Sequence, residues 1–230
     1  MIDKKLHLVL SVFWFVIAII FIGASFLIAV DASGYVINWQ NMTFEKTGLI
    51  SVSTNPKDAK IYLSGKLLKE LTPARLTKLP PNWYDLKISY TDYQDWEKGF
   101  KLNAGQAINL EDIYLFYKNP VVLKKFVEKE KFDKLELPKN LLIDKNELFL
   151  VSNGVNTILT RFAKNINRVD WLIKNKYLIV QIDEKLIVFS KDEHDQKEIY
   201  SSKNEFNFIV LNDSEIAIKN EGEIIVLKIR

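Results

Sequence analysis

The sequence predicts a mainly β protein with one N-terminal transmembrane helix, then a small antiparallel β-sandwich, then short propeller-like antiparallel β repeats. Three observations support this order. Residues 8–30 are almost entirely apolar and carry no charge. From residue 48 to residue 102, apolar and polar residues alternate with a period of two, which is typical of half-buried strands. Strand–turn–strand patterns then recur from residue 147 onward.

The composition excludes several classes of protein. An apolar fraction of 48% is typical of a folded chain and excludes a mostly disordered one. The lack of cysteine excludes disulfide scaffolds and thiolate metal sites. The net charge of +3 is too small for the positive field that nucleic-acid binding requires, so we expect no nucleic-acid partner. With only two histidines, we also expect no catalytic residues, metal site or cofactor.

The apolar stretch 8–30 would extend about 34 Å as an α-helix, which is enough to cross a bilayer. Lys4 and Lys5 precede this stretch and Asp31 follows it. The positive-inside rule therefore places residues 1–7 in the cytoplasm and residues 31–230 outside the cell membrane. A cleaved signal peptide is the alternative. The apolar run is longer than the usual signal core, which favours an uncleaved signal anchor with the bilayer as its partner.

Residues 31–47 are predicted to form a juxtamembrane spacer, because their composition is mixed and no long period is visible. Tyr35, Trp39 and Phe44 are the residues we expect to order part of it.

Strand patterning is clearest in residues 48–116. Tyr84, Leu86, Ile88 and Tyr90 alternate with polar residues, so all four are assigned to a core face. Turn residues separate the strands, namely Asn55-Pro56, Ser64-Gly65, Thr72-Pro73, Pro80-Pro81-Asn82 and Ala104-Gly105. Short strands with such turns are typical of a small sandwich.

The same residues resemble the PEGA domain family. The matching elements are Gly-Leu-Ile-Ser-Val at 48–52, Pro-x-x-Ala at 56–59, Ile61-Tyr62-Leu63 with Gly65, Thr72-Pro73, Leu79-Pro80-Pro81 before Tyr84, and Asp92-Tyr93 with Trp96. The sequence departs from the family at Lys57 and Asp58, which replace Glu and Gly, and at Asn82, where Gly is common. The resemblance implies a small extracytoplasmic β domain of cell-surface and envelope proteins, without catalytic residues.

Residues 117–140 are predicted to form a basic linker. The stretch is rich in lysine and contains Pro120 and Pro138. A short helix and an extended segment are equally consistent with it. The excess of lysine would suit an acidic surface, but a solvated connector is the simpler interpretation.

Residues 141–230 contain three predicted hairpins, which start near residues 147, 176 and 215. Their turns are assigned to Asn153-Gly154, 183–185 and 220–222. The spacing resembles propeller blades, but only two to two and a half blades fit, and a closed propeller needs about four. The region is then an open sheet packed on itself, a module completed by another chain, or a remnant. Open edges predict self-association through C-terminal strands.

Two groups of residues invite a chemical interpretation. His194 lies in the acidic loop 191–195, which suggests a metal site, but a solvated loop is the preferred interpretation. Asp92, Asp95 and Glu97 suggest a glycosidase, but that chemistry needs two carboxylates held across a cleft. A solvent-facing surface is therefore preferred for these carboxylates.

Exposed aromatic rings are the remaining candidates for a binding site. Trp83, Tyr93 and Trp96 lie close together in the sequence, and such rings often grip carbohydrate or protein partners. The sequence therefore predicts a non-enzymatic, membrane-anchored envelope protein. Its β domains would bind or scaffold a wall polymer, a surface-layer component or an envelope protein. An accessory subunit of an envelope enzyme or sensor complex is the alternative.

Overall fold

The computed structural model describes residues 2–38, 43–133, 135–192 and 195–230, with side chains from residue 8 onward. This part of the chain is mainly β, with one N-terminal apolar helix and several small antiparallel sheets, as predicted. The chain divides into two compact units. The first unit comprises Met1–Ser53, Pro73–Tyr84 and Gly99–Asp112. The second unit comprises Thr54–Thr72, Asp85–Lys98 and Ile113–Arg230.

The elements follow in chain order. The N-terminal elements are α1 (Ile2–Ala32), β1 (Tyr35–Asn38), β2 (Thr43–Lys46), β3 (Gly48–Asn55), β4 (Lys60–Leu63), β5 (Lys66–Leu71), β6 (Ala74–Leu79), β7 (Asn82–Ser89), β8 (Trp96–Leu102) and β9 (Ala107–Tyr114). The next are β10 (Val121–Leu123), a 3-10 helix (Lys129–Phe132), β11 (Leu141–Asp144), β12 (Glu147–Ser152), β13 (Val155–Arg161) and β14 (Ile166–Ile173). The last are β15 (Tyr177–Ile182), β16 (Lys185–Ser190), β17 (Gln196–Ser201), β18 (Phe206–Asn212), β19 (Glu215–Asn220) and β20 (Glu223–Lys228).

Helix α1 carries an apolar stretch, Leu8–Ala32, that is long enough to span a membrane and is not buried against the rest of the chain. A signal sequence would have the same features. Lys4 and Lys5 lie in the first turns of α1, and their side chains are outside the described residues. The helix ends at Ala32, and Gly34 follows it with a positive φ of 76°, which suits a residue without a side chain.

The predicted spacer is a β-hairpin. Strands β1 and β2 pair in antiparallel register, with Tyr35 opposite Lys46 and Ile37 opposite Phe44. Thr47 closes the hairpin, because its backbone N–H and its side-chain Oγ1 both donate to the carbonyl oxygen of Gly34, each at 2.8 Å. Trp39, which was expected to order this segment, lies outside the described residues.

Two sheets contain the strands of residues 48–114. One sheet has the order β6-β3-β9 and the other has the order β5-β4-β7-β8. Alternate residues of β3 are buried, as its period of two predicts. In β7, Leu86 and Ile88 are buried, whereas Tyr84 is only half-buried, as is Tyr90 directly after the strand.

Two buried threonines, Thr54 and Thr72, connect the Pro-x-x-Ala segment at 56–59 to the Thr72-Pro73 turn through hydrogen bonds. The backbone N–H of Ala59 donates to Thr72 Oγ1 at 3.0 Å, and the two hydroxyl oxygens of Thr72 and Thr54 lie 2.5 Å apart. Thr54 Oγ1 in turn donates to the carbonyl oxygen of Pro56 at 2.5 Å. One arrangement of protons satisfies all three bonds, with Thr72 donating to Thr54.

Residues 141–230 form sheets with the orders β11-β12-β13, β14-β15-β16-β17 and β10-β20-β19-β18. The three predicted hairpins are confirmed as β12–β13, β15–β16 and β19–β20. Each connection has two residues, since Ser152 pairs with Val155, Ile182 with Lys185 and Asn220 with Glu223. The turns after β15 and β19 are thus one residue shorter than predicted.

The basic linker takes part in this fold. Its strand β10 pairs with β20, so that Val121 faces Lys228 and Leu123 faces Val226. Val127 and Phe132 are buried together with Ala217 and Val226 of β19 and β20. The interpretation of a solvated connector is therefore wrong, because two apolar residues between the lysines enter the core. Strand β20 is an interior strand, so the expected open edge at this strand is also wrong.

Candidate functional site

The three aromatic residues proposed for binding differ in exposure. Trp83, near the start of β7, is 60% exposed. Tyr93 is half-buried, and its ring centroid lies 4.4 Å from that of Tyr117 and 5.4 Å from that of Tyr90. Burial is the main reason that the pKa of Tyr93 is raised, with a further contribution from its hydrogen bond with Tyr117. Tyr93 therefore belongs to a packed tyrosine cluster.

The prediction that Trp96 belongs to a binding surface is wrong. It is only 2% exposed and lies at the first position of β8, on the same face as the buried Leu102. Its Nε1 is also buried, without a hydrogen-bond partner among the described residues. A ring inside the core does not reach a ligand at the surface, so of the three candidates only Trp83 is a largely exposed ring.

The carboxylates near Trp96 form ion pairs. Lys87 Nζ lies 2.7 Å from Asp95 Oδ2 and 3.3 Å from Glu97 Oε1. Asp92 has a positive φ of 67° and lies in a turn, where its carbonyl oxygen accepts the backbone N–H of Lys118. The hydrogen bonds that Lys87 donates, first to Asp95 and then to Glu97, raise the pKa of Lys87. Burial raises the pKa of Asp95, but hydrogen bonds from Lys87 and Ser89 outweigh it, and the net shift is downward.

The lowered pKa of Asp95 predicts a loss of stability in acid. The stabilisation is present above the unfolded-state pKa of about 3.9 and is lost as the pH falls through the lower folded-state value. Because both side chains are partly exposed, solvent screens the pair, and we expect a contribution below about 1 kcal/mol. Urea unfolding of the wild-type chain and of Asp95→Asn between neutral and strongly acidic pH measures it. An equal loss of stability in both chains would contradict this role.

Glu193 and His194, at the centre of the acidic loop 191–195 that was interpreted as solvated, lie outside the described residues. Asp195 and Lys197, which follow, form an ion pair at 2.9 Å. Among the described residues, no group of three or more His, Cys, Asp or Glu side chains could hold a metal ion.

A polar cleft of about 730 Å³ opens in the second unit, where β14 lies beside β18. The side chains around it are mainly charged or carry amides. The lining residues are Leu135, Asn167, Arg168, Gln181, Asp183, Glu184, Lys203, Glu205, Phe206, Asn207, Lys219, Glu221 and Gly222. Most come from the strands β14, β15, β18 and β19 and from the turns after β15 and β19. Lys203 and Glu205 come from the loop between β17 and β18, and Leu135 comes from the segment after the 3-10 helix. The cleft can therefore offer both donors and acceptors to a polar ligand.

Arg168 is the most deeply placed charge of this cleft. Its side chain is only 14% exposed, and its guanidinium carbon lies 5.3 Å from the ring centroid of Phe208. The Nε atom is buried and has no hydrogen-bond partner among the described residues. The nearest carboxylate, Asp170, is 3.7 Å from Nη2. Burial lowers the pKa of Arg168, although a guanidinium stays protonated at neutral pH.

Several other groups around the cleft already have partners. Gln181 is buried, and its Nε2 donates to the carbonyl oxygen of Phe206 at 2.8 Å. Asp183 pairs with Lys164 at 2.5 Å, and Glu221 accepts a hydrogen bond from Asn204 at 2.7 Å. Burial raises the pKa of Asp170, and the hydrogen bond from the Trp171 backbone N–H and the charge of Arg168 oppose this shift. The half-buried guanidinium of Arg168 is thus the group with most to gain from an acceptor on a ligand.

Sequence reasoning missed this cleft entirely. Its residues run from Leu135 to Gly222 and belong to separate strands and turns, so no local motif contains them. The one available signal is Arg168 itself, a charged residue inside a strand with several buried positions.

Residues 47–112 match the family model of the PEGA domain, which confirms the resemblance inferred from the residues. No curated protein matches the chain. The matched segment covers β3 to β8 and most of β9, whereas the cleft lies entirely outside it. A PEGA domain, which is typically extracellular, following an apolar N-terminal helix fits a membrane-anchored envelope protein.

Proposed function

We propose that this protein is a non-enzymatic binding protein of the cell envelope, anchored by α1 with its N-terminus in the cytoplasm and residues 31–230 outside. Its ligand is an acidic carbohydrate of the wall or surface layer, and the binding site is the polar cleft. The role requires recognition only, with no bond made or broken. The observation that carries the proposal is the half-buried Arg168 at the polar cleft, whose Nε has no hydrogen-bond partner among the described residues.

The chemistry of the lining favours this class of ligand over others. A carboxylate on the ligand would satisfy Arg168 by a charge-assisted hydrogen bond. Sugar hydroxyls both donate and accept, which suits a surface that mixes carboxylates with the amides of Asn167 and Asn207. An apolar ligand would leave these charges desolvated without partners.

Binding of a soluble uronic-acid oligosaccharide to the full chain in lipid nanodiscs tests the proposal. We expect Arg168→Gln to weaken binding by about 10- to 150-fold, since a hydrogen bond to a charged group contributes about 1.5–3 kcal/mol. Isothermal titration calorimetry measures the affinity, and thermal unfolding verifies that the variant is folded. The carboxyl-reduced oligosaccharide should bind wild type about as weakly as the acidic one binds the variant.

Arg161→Gln is the matched control, because Arg161 of β13 is largely exposed and ion-paired with Glu147 away from the cleft residues. It should bind the oligosaccharide like wild type. Equal affinities of wild type and a folded Arg168→Gln chain would exclude the cleft as the site. Failure of the wild-type chain to bind any acidic oligosaccharide would exclude the ligand class and favour the accessory-subunit alternative.

A further inference from the structure

The β1–β2 hairpin turns back along the helix that precedes it. Phe44 of β2 packs edge-on against Phe26 of α1, with ring centroids 6.1 Å apart. Phe26 lies about 9 Å before the end of the helix at Ala32, at 1.5 Å per residue. The four residues of β1 extend about 13 Å, which is enough to bring the hairpin back to this level. The hairpin therefore overlaps the last turns of the apolar stretch.

The length of the apolar stretch shows where this overlap falls in a bilayer. Leu8–Ala32 has 25 residues and extends about 37 Å, whereas the hydrocarbon core is about 30 Å thick. With Leu8 at one boundary of the hydrocarbon, about 7 Å of the helix passes beyond the other. Phe26 then lies close to that second boundary, and the turns that follow it lie among the lipid headgroups.

The side chains of the hairpin suit this depth. Tyr35 and Phe44 are 39% and 50% exposed, and aromatic rings are enriched where headgroups meet hydrocarbon. A cavity of about 330 Å³ between the helix and β1 is lined by Leu27, Val30, Asp31, Tyr35, Val36 and Ile37. A two-stranded hairpin has edge N–H and C=O groups that need water, which excludes the hydrocarbon centre but is compatible with the headgroup layer.

Two sets of contacts hold this arrangement together. Lys78 of β6 contacts both carboxylate oxygens of Asp31 at the end of α1, at 2.6 and 2.7 Å. Thr47 closes the hairpin on Gly34, as described above. The end of the helix is thus linked to the hairpin by hydrogen bonds and to strand β6 of the first unit by an ion pair.

We propose that the β1–β2 hairpin is a membrane-interface element, which lies in the headgroup layer beside α1 with Tyr35 and Phe44 against the lipid. It fixes the rotation of the helix and holds the attached strands of the first unit at the bilayer surface. The inference rests on the proposed function in one respect, namely that α1 remains in the membrane.

Depth-dependent quenching by spin-labelled lipids tests the proposal. The chain lacks cysteine, so single-cysteine variants of the full protein can be labelled with an environment-sensitive dye. Phe44→Cys probes the hairpin and Phe21→Cys probes the span, and the same dye coupled to free cysteine and mixed with the vesicles is the aqueous reference. Each is placed in phosphatidylcholine–phosphatidylglycerol vesicles whose acyl chains carry the spin label either near the headgroup or near the chain end.

We expect the dye at position 44 to lose more fluorescence to the shallow spin label than to the deep one, and the dye at position 21 to show the reverse. Tyr35→Cys should show the same pattern as Phe44→Cys. Agreement between the two positions shows that neither substitution has displaced the hairpin. Quenching at positions 44 and 35 no stronger than that of the dye on free cysteine, with position 21 quenched, would overturn the hairpin proposal alone. Absence of quenching at position 21 would overturn the membrane anchor itself.

Discussion

Replacing Phe208 with alanine is expected to lower the free energy of unfolding by about 3–5 kcal/mol. Phe208 is fully buried in the core of the second unit, in a cluster that includes Tyr177, Ile218 and Leu227. Removal of the ring loses its transfer free energy and leaves a cavity that neighbouring strands fill only in part. Denaturant unfolding of the full chain in detergent micelles, followed by near-ultraviolet circular dichroism, measures the change.

Phe126→Ala is the matched control, because the same atoms are removed from a side chain that is 90% exposed. We expect it to change stability by less than about 0.5 kcal/mol. Phe208→Ala should also weaken binding at the cleft, since the ring supports the Arg168 guanidinium. If the two alanine variants unfolded at the same denaturant concentration, the core assigned to Phe208 would be wrong.

Thr72→Val is expected to destabilise the protein by about 1–3 kcal/mol, although it hardly changes the volume of the side chain. The valine would leave the N–H of Ala59 without its acceptor, in a place where Thr72 is 1% exposed and water does not replace the hydroxyl. Thr54 would lose its contact with the second hydroxyl as well. Urea unfolding gives the free energy, and hydrogen exchange at Ala59 should become faster.

Thr77→Val is the control for this prediction, because it makes the same substitution at an exposed position of β6. It should leave the unfolding midpoint almost unchanged. A Thr72→Val chain as stable as Thr77→Val would mean that the hydroxyl chain through Thr54 contributes no net stability.

Local chemistry explains which parts of the fold were predictable. At the β12–β13 turn, Asn153 and Gly154 both have positive φ, at 51° and 76°, which these residue types tolerate and which a two-residue hairpin requires. Alternation in β3 and β7 likewise depends on neighbours in sequence, so it was visible without the structure. The same alternation indicates that Trp96 is buried, because Trp96 shares its face of β8 with Phe100 and Leu102.

Long-range contacts explain what was not predictable. The pairing of β10 with β20 joins residues about 100 positions apart, and the linker that contains β10 has no strand pattern of its own. The cleft around Arg168 has the same origin, because its charges come from strands and turns that are separate in sequence. In both cases the packing of the whole unit determines which residues meet. A single stretch of sequence does not contain this information.

The β10–β20 pair also has a consequence for the timing of biosynthesis. Val121–Leu123 leaves the ribosome about 100 residues before Glu223–Lys228, which at 5–20 residues per second corresponds to about 5–20 s. Until then β10 lacks its neighbour, and Val127 and Phe132 lack the strands that cover them. This sheet therefore forms only after β20 has been translated, so the newly made chain needs protection from aggregation during that interval.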